Sequence, residues 1–281
     1  MSTIALPGLT PGHPLGFRAA VGLLSLSEQI LPSGCRLSWQ PMQAILHTEH
    51  ACDEDALVDT LDQHHRQTGA PSWLTWAKDI RVPVRNYCEQ LAIADRNGQA
   101  ALASLAHEAN MDKNGKLFPT AWRMYGIKER TGWLDTIGVI ARAMNADKWR
   151  EALFGPWRYE DQVSPLGWDP NVVQRHAEQA CSASATRPIA TAGAVWLSVL
   201  SLPLFPVFLG ERWLATTGIV DGAFCWPVWS QPATLDTVRF LLQLDCGCLS
   251  MEQRQALGIR QLWRSRLMAV GDRRALEAGS V

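Results

Sequence analysis

Three short clusters carry side chains that could bind a metal ion: His47-x-x-His50, the adjacent His64 and His65, and Cys246-x-Cys248. Structural zinc sites usually combine two such pairs, each with two to four intervening residues. No second pair at matching spacing completes any of these clusters. His64 and His65 also lie near the expected end of a helix, where a positive charge suits the helix dipole. We therefore expect neither a metal ion nor any other cofactor.

Catalytic motifs are scarce. The sequence has no glycine-rich phosphate loop, no Gly-x-Ser-x-Gly elbow and no dinucleotide fingerprint. Glu160 and Asp161 are adjacent carboxylates, but such pairs are usually solvated, and acid–base catalysis needs a cleft around the reacting proton. His107 or His176, with Arg175 nearby, could supply the base of a metal-independent nuclease. We predict a non-catalytic protein, with that nuclease as the alternative.

Positive charge interleaved with aromatic rings is the most informative pattern. Residues 113–130 contain five basic residues and one acidic residue, a net charge of +4, and residues 254–274 contain six arginines and one acid, a net charge of +5. Basic side chains neutralise nucleic-acid phosphates with release of counterions, and aromatic rings stack on bases. The candidate phosphate contacts of the first segment are Lys113, Lys116, Arg123, Lys128 and Arg130. Asn114 and Trp122 are the candidate base contacts, and a solvated basic loop is the alternative.

The elements that must position these residues are helices and short strands. The chain begins with a β-α-β-β pattern, continues with amphipathic helices, and places residues 111–132 in a polar loop. A nearly all-apolar helix at 189–202 precedes three strand-like runs, a helix at 235–242 and a strand at 259–270. We predict an α+β fold, predominantly helical with small mixed or antiparallel sheets. Two regions are expected, 1–150 and a Trp/Pro-rich 151–281, which could form one continuous domain.

Composition limits the function further. The chain has 281 residues, 47% hydrophobic and 19% charged, with a formal net charge of −1 and a pI near 6.7. This is a folded globular chain without the overall positive charge of a free-standing nucleic-acid binder, so any polyanion must be bound locally. The seven scattered cysteines and the lack of a secretory signal pattern predict a reducing cytoplasm. Residues 188–210 lack charge, but Pro203 and Pro206 interrupt them, which favours a buried helix and strand over a membrane span.

Five stretches of sequence, two of them split, are distributed over most of the length of the chain, from residue 13 to residue 266. They are 13–24 (HPLGFRAAVGLL), 155–157 with 166–170 (GPW, LGWDP), 193–197 with 202–207 (GAVWL, LPLFPV), 226–229 (WPVW) and 262–266 (LWRSR). We call them the family-like blocks. In this order they resemble the large-subunit-type proteins of type I-G (formerly I-U) CRISPR interference complexes, also called Cascade complexes. With 281 residues the chain is shorter than many of these proteins.

The resemblance implies a subunit of an RNA-guided surveillance complex in antiviral defence. Its expected partners are the CRISPR backbone subunits, the CRISPR RNA and target double-stranded DNA, with a helicase-nuclease as a further candidate. In such complexes base pairing reads the target, while protein reads an adjacent motif or holds the displaced strand. Arg18, Arg264 and Arg266 lie in the family-like blocks and are further candidate DNA contacts, or contacts with protein or guide RNA. The alternatives are a CRISPR RNA-processing endonuclease and a purely structural subunit.

Overall fold

The computed structural model describes residues 2–31, 34–124, 132–172, 189–210, 214–270 and 273–281. The helices in these ranges are α1 (Pro14–Ile30), α2 (Glu54–Thr68), α3 (Ser72–Thr75), α4 (Val84–Ile93), α5 (Arg96–Leu105), α6 (Trp133–Arg142), α7 (Ala146–Phe154), α8 (Ala192–Leu200), α9 (Leu235–Gln243) and α10 (Met251–Ala256). The strands are β1 (Ser2–Leu6), β2 (Cys35–Trp39), β3 (Ala44–Thr48), β4 (Val207–Leu209), β5 (Leu214–Thr216), β6 (Ile219–Val220), β7 (Ala223–Trp229), β8 (Ile259–Val270) and β9 (Arg273–Leu276). The fold is α+β and mainly helical, with small antiparallel sheets, as the sequence predicts.

Helix α1 is the centre of the molecule. His13 caps its N-terminus, with Nδ1 accepting the Gly16 N–H at 3.2 Å, and Pro14 occupies the first turn, where its missing N–H costs nothing. Residues 14 to 27 are all buried because neighbouring elements surround the helix. Helix α8 packs directly against it. A Cβ atom at Gly22 would overlap the carbonyl oxygen of Leu197, so the two backbones need this glycine to approach.

Two antiparallel sheets pack around α1. In the first sheet β3 lies between β1 and β2, which fulfils the predicted β-α-β-β start. The second sheet has the order β6-β7-β8-β9, and β4 pairs with β5 in a separate hairpin. Phe17 of α1 contacts aromatic rings of both sheets, with centroids 5.6 Å from Trp39 and 5.7 Å from Trp226. The indole N–H of Trp229 donates to the Leu37 carbonyl at 2.7 Å, so hydrogen bonding also links the sheets.

Two local predictions need correction. The apolar spacing predicts a helix over 86–109 that the turn dipeptide Asn97-Gly98 interrupts, but both residues lie in the first turn of α5. The break comes just before them, where Asp95 caps α5 by accepting the Gly98 N–H at 2.7 Å. The apolar pattern also predicts a single strand over 219–226, whereas the structure has a hairpin of β6 and β7 there. Its two-residue turn is Asp221-Gly222, with φ of 48° and 69°, as a type I′ turn requires.

The two halves of the chain share one hydrophobic core. The boundary predicted at residue 150 falls inside α7, and the core cluster contains residues from both sides of it. Leu37 and Ala233 form an isolated bridge between the first sheet and the segment before α9. Within the described ranges, no helix has the length and apolar character to cross a bilayer.

Candidate nucleic-acid interface

Arg18 is a core residue. Its side chain is fully buried on α1, and its guanidinium carbon lies 3.8 Å from the ring centroid of Trp168 and 4.2 Å from that of Trp122. Nη2 donates to the Ser198 carbonyl at 2.9 Å, and no described carboxylate forms an ion pair with it. Burial lowers the pKa of Arg18 well below its ordinary value. The assignment of Arg18 to a DNA-facing surface is therefore wrong, because no strand can reach it.

Trp122 is also in the core. Its ring centroid lies 5.0 Å from Phe205 and 5.1 Å from Phe224, and the residue has no exposed surface. Its carbonyl accepts the Trp168 indole N–H at 3.0 Å. A side chain held in this way cannot wedge between bases, so the prediction for Trp122 needs the same correction. Its aromatic character serves core packing and the cation–π contact with Arg18.

The exposed part of the first basic segment is a tight turn. We call residues 112–116 the basic turn. One carboxylate oxygen of Asp112 accepts the backbone N–H groups of Asn114 at 2.8 Å and Lys116 at 3.0 Å, and these bonds help lower the pKa of Asp112. The side chains of Lys113, Asn114 and Lys116 are exposed, as a surface contact requires.

The remaining residues of that segment do not extend this surface. Arg123 is half-buried and forms an ion pair with Asp79 at 2.7 Å, so its charge is compensated inside the protein. This corrects its prediction as a phosphate contact. Lys128 and Arg130 lie outside the described residues. Among the described residues, the basic turn is therefore the part of the predicted phosphate-binding cluster that remains on the surface.

The middle of the second basic segment lies on strand β8, and its arginines there are exposed. Arg264 and Arg266 on β8 are exposed and lie opposite Cys225 and Ala223 of β7. Residues two apart on a strand share a face and are about 6.6 Å apart. Within the described part of the chain, neither guanidinium pairs with a carboxylate. Both side chains are accessible to a partner, and their role as DNA contacts stays a prediction.

A cleft of about 810 Å³ opens beside Arg264, and we call it the β8 cleft. Cys225 of β7 and Leu262 of β8 lie on its strand side, Phe208 contributes from β4, and Asp221 from the β6–β7 turn. The loop 244–248 supplies Asp245, Cys246 and Cys248. The lining is mainly apolar, which suits a flat or apolar group better than a phosphate.

The thiols of the β8 cleft have pKa values above the ordinary value of cysteine, which makes them weak nucleophiles at neutral pH. Burial is the main cause that raises the pKa of Cys225 and of Cys246 above the ordinary value. The Sγ of Cys248 lies 3.0 Å from a carboxylate oxygen of Asp245, which raises the pKa of that thiol as well. Neutral thiols are poor nucleophiles and poor metal ligands. In the described residues, no three His, Cys, Asp or Glu side chains come together as metal ligands would.

Of the two histidines that could serve as the base of a nuclease, His107 is the one that the structure describes, and its contacts are with its own neighbours in sequence. His107 Nδ1 accepts the Ala109 N–H at 3.1 Å and lies 3.7 Å from Glu108. His176 and Arg175 lie outside the described residues.

No protein-family model matches the chain, and no curated protein is significantly similar to it.

Sequence reasoning missed the β8 cleft, although two signals for it were present. The Asp221-Gly222 dipeptide is a strong hairpin signal and would have paired β6 with β7. The alternation of Leu262, Arg264 and Arg266 places one apolar and two basic side chains on a single face of β8. The cleft walls come from β4, β5 and the loop after α9, whose approach to β8 requires the tertiary structure.

Proposed function

We propose that this chain is a non-catalytic subunit of a type I CRISPR RNA-guided surveillance complex and contacts target DNA, by reading an adjacent motif or by binding the displaced strand. The observation that carries the proposal is the ordered succession of the family-like blocks from residue 13 to residue 266. Its partners in this proposal are the backbone subunits, the CRISPR RNA and the target, with a helicase-nuclease recruited to the same complex.

The packing of the blocks supports treating them as one signature. His13 Nε2 lies 3.4 Å from Asp169 Oδ1, and Arg18 stacks on Trp168, so the first two blocks meet. Helix α8, from the third block, packs on α1 at Gly22. Trp226 and Trp263 stack with centroids 6.5 Å apart, which joins the last two. Because the blocks pack against one another, we expect a chain that carries one of them to carry the others as well.

The charge distribution supports a subunit that binds DNA only as part of a larger complex. The chain as a whole is near neutral, and its exposed candidate contacts fall in two places, the basic turn and the outer face of β8. A few phosphate contacts give a weak, salt-sensitive interaction. Base pairing by the guide RNA would supply the sequence specificity that so few contacts cannot provide.

Co-expression tests the proposal. The tagged chain is expressed with candidate type I-G backbone subunits and a CRISPR RNA, and the purified material is analysed for protein and RNA. We expect the tagged chain to recover both. A variant with both basic-turn lysines replaced, K113A/K116A, should recover them equally and bind target DNA more weakly. Recovery of neither subunits nor RNA by the wild-type chain would overturn the proposal.

A further inference from the structure

The outer face of β8 presents charge and apolar surface side by side. The Cα atoms of Arg264 and Arg266 are about 6.6 Å apart along the strand, a spacing from which their side chains can reach successive phosphates of an extended single strand. Arg264 also lines the β8 cleft, which therefore begins where the first phosphate would lie. The two features together match a nucleotide, with its charged backbone and its flat, largely apolar base.

We propose that the β8 cleft receives a base of single-stranded nucleic acid whose adjacent phosphates contact Arg264 and Arg266. This inference rests on the proposed function and names the form of nucleic acid and the surface that bind. Entry of a base into the cleft favours a displaced or unpaired strand. A base inside a duplex is stacked and paired, so it cannot enter a cleft without being extruded.

The arrangement of charges favours a nucleotide with its base inside the cleft and its phosphates outside. Asp221 and Asp245 also line the cleft, and their carboxylates would repel a phosphate placed inside it. A neutral base meets no such penalty, and carboxylate oxygens can accept hydrogen bonds from base N–H groups, either an exocyclic amino group or the ring N3–H of thymine. Phe208 is half exposed and offers an aromatic ring for stacking. The phosphates therefore belong outside the cleft on the arginines.

The same observations favour nucleic acid over a peptide as the occupant. An apolar cleft alone would accept a hydrophobic peptide segment. Two neighbouring exposed guanidinium groups, free of carboxylate partners in the described chain, complement a polyanion instead. Guanidinium groups also match phosphate geometry by donating two parallel hydrogen bonds.

Binding to the isolated full-length chain tests the inference. Fluorescence anisotropy is measured with a labelled oligo-dT strand and with a duplex of equal length, at low salt. We expect the single strand to bind more tightly than the duplex, and R264A/R266A to weaken single-strand binding at least about tenfold, as the loss of two charge-assisted contacts predicts. The matched control is R85A/R239A, which removes two arginines that pair with Glu89 and Asp236. It should change the affinity less than twofold.

Alkylation of cysteines reports whether a base occupies the cleft. Cys248 and Cys88 are both exposed. Cys248 lines the cleft, whereas Cys88 lies on α4 and does not line it. Limited alkylation at alkaline pH, where part of each thiol is ionised, followed by mass spectrometry should show that oligo-dT slows modification of Cys248 several-fold and leaves Cys88 unchanged. F208A should reduce this protection while circular dichroism shows an unchanged fold.

Three results would overturn the inference: equal affinity for single strand and duplex, equal weakening by the two double variants, or no protection of Cys248 by saturating oligo-dT. Protection of Cys248 by co-purified protein subunits without nucleic acid would assign the cleft to a protein partner and also overturn it. These outcomes are separate from the co-expression result. A chain that binds oligo-dT through the cleft but recovers no CRISPR components would refute the proposed function alone.

Discussion

Burial gives Arg18 a role that its charge alone does not reveal. The guanidinium is stacked between Trp122 and Trp168 and has one described hydrogen bond, to the Ser198 carbonyl. Lysine lacks the flat guanidinium face, so R18K keeps a buried charge and loses the stacking. We expect R18K to lower the free energy of unfolding by about 2 kcal/mol or more in chemical denaturation.

A second substitution at Arg18 separates charge from shape. R18M removes the desolvation penalty of the charge and keeps an apolar side chain of similar length. It should therefore be less destabilising than R18K. If R18K is as stable as the wild-type protein, or R18M is the less stable of the two variants, the cation–π account of Arg18 is wrong.

The lysines of the basic turn and Arg123 should respond differently to substitution. In the reconstituted complex, K113A and K116A should each weaken binding to all DNA sequences alike and reduce the dependence of log K on log salt by about one unit. R123A should leave that slope unchanged and lower stability by up to about 1 kcal/mol, because Arg123 pairs with Asp79. Affinity measured over a salt series checks the slopes of all three variants, and chemical denaturation checks the stability of R123A. A reduced slope for R123A would show that Arg123 faces DNA.

At the residue scale, the sequence reveals which charges exist but not which are compensated. Lys113 and Lys116 could be placed on the surface because the polar Asn114-Gly115 turn lies between them. The partner of Arg123 is 44 residues away, and the rings that enclose Arg18 come from segments far along the chain. Such pairings depend on tertiary contacts that no local pattern encodes.

Among the elements, the β6–β7 hairpin depends on its turn. Gly222 has φ of 69° and would meet nothing within 4 Å if a Cβ were added, so the cost of a side chain there is purely conformational. We expect G222A to destabilise the protein by about 1 kcal/mol.

Gly138 provides the matched control for that substitution. It lies inside α6, and its added Cβ would meet only the flexible end of Arg142, at 3.3 Å. G138A should therefore stabilise the protein by up to about 1 kcal/mol, through helix propensity. Thermal unfolding compares the two variants, and a shift of the same sign in both would contradict the argument.

The first sheet contains a pH-sensitive side chain. His47 on β3 lies 2.8 Å from the Ser38 hydroxyl of β2, and burial followed by the nearby Arg36 lowers its pKa below 6.5. A histidine with a depressed folded-state pKa contributes stability above its unfolded-state pKa, and this contribution is lost as pH falls through the folded-state value. We expect the wild-type melting temperature to fall more than that of H47Q between pH 7 and pH 5. Parallel curves for the two proteins would exclude His47 as a contributor.

Secondary structure was predictable where a short pattern determines it. The Ser250–Gln253 capping box begins α10 as its sequence indicates, and the apolar run at 189–202 contains α8. The errors came from competing local signals. Asp95 caps α5 and overrides the Asn97-Gly98 turn signal, and Asp221-Gly222 divides a run that looks continuous in hydrophobicity.

At the scale of the whole molecule, the shared core predicts that neither half folds alone. Separate expression of residues 1–150 and 151–281 would cut α7 and remove α8 from its contact with α1. We expect each fragment to lack a cooperative thermal transition by circular dichroism, whereas the full chain shows one. A cooperative transition in either fragment would establish the predicted boundary as a real domain division.

The fold class and the local character of the charge followed from composition and pattern, whereas the β8 cleft did not. A cleft forms between elements distant in sequence, here β4, β8 and the loop after α9, and its lining is a consequence of how they pack. Sequence alone could identify only the arginines of β8, the strand that lies along one side of the cleft.

The stacked pair of Trp226 and Trp263 gives the protein an intrinsic optical reporter. Of the thirteen tryptophans in the chain, these two are the ones that line the cleft among the described residues. Trp226 is buried and Trp263 is partly exposed, so water reaches one member of the pair. A molecule that displaces that water should alter their emission while the enclosed indoles around Arg18 give a constant background. Occupancy could then be titrated without attaching a dye.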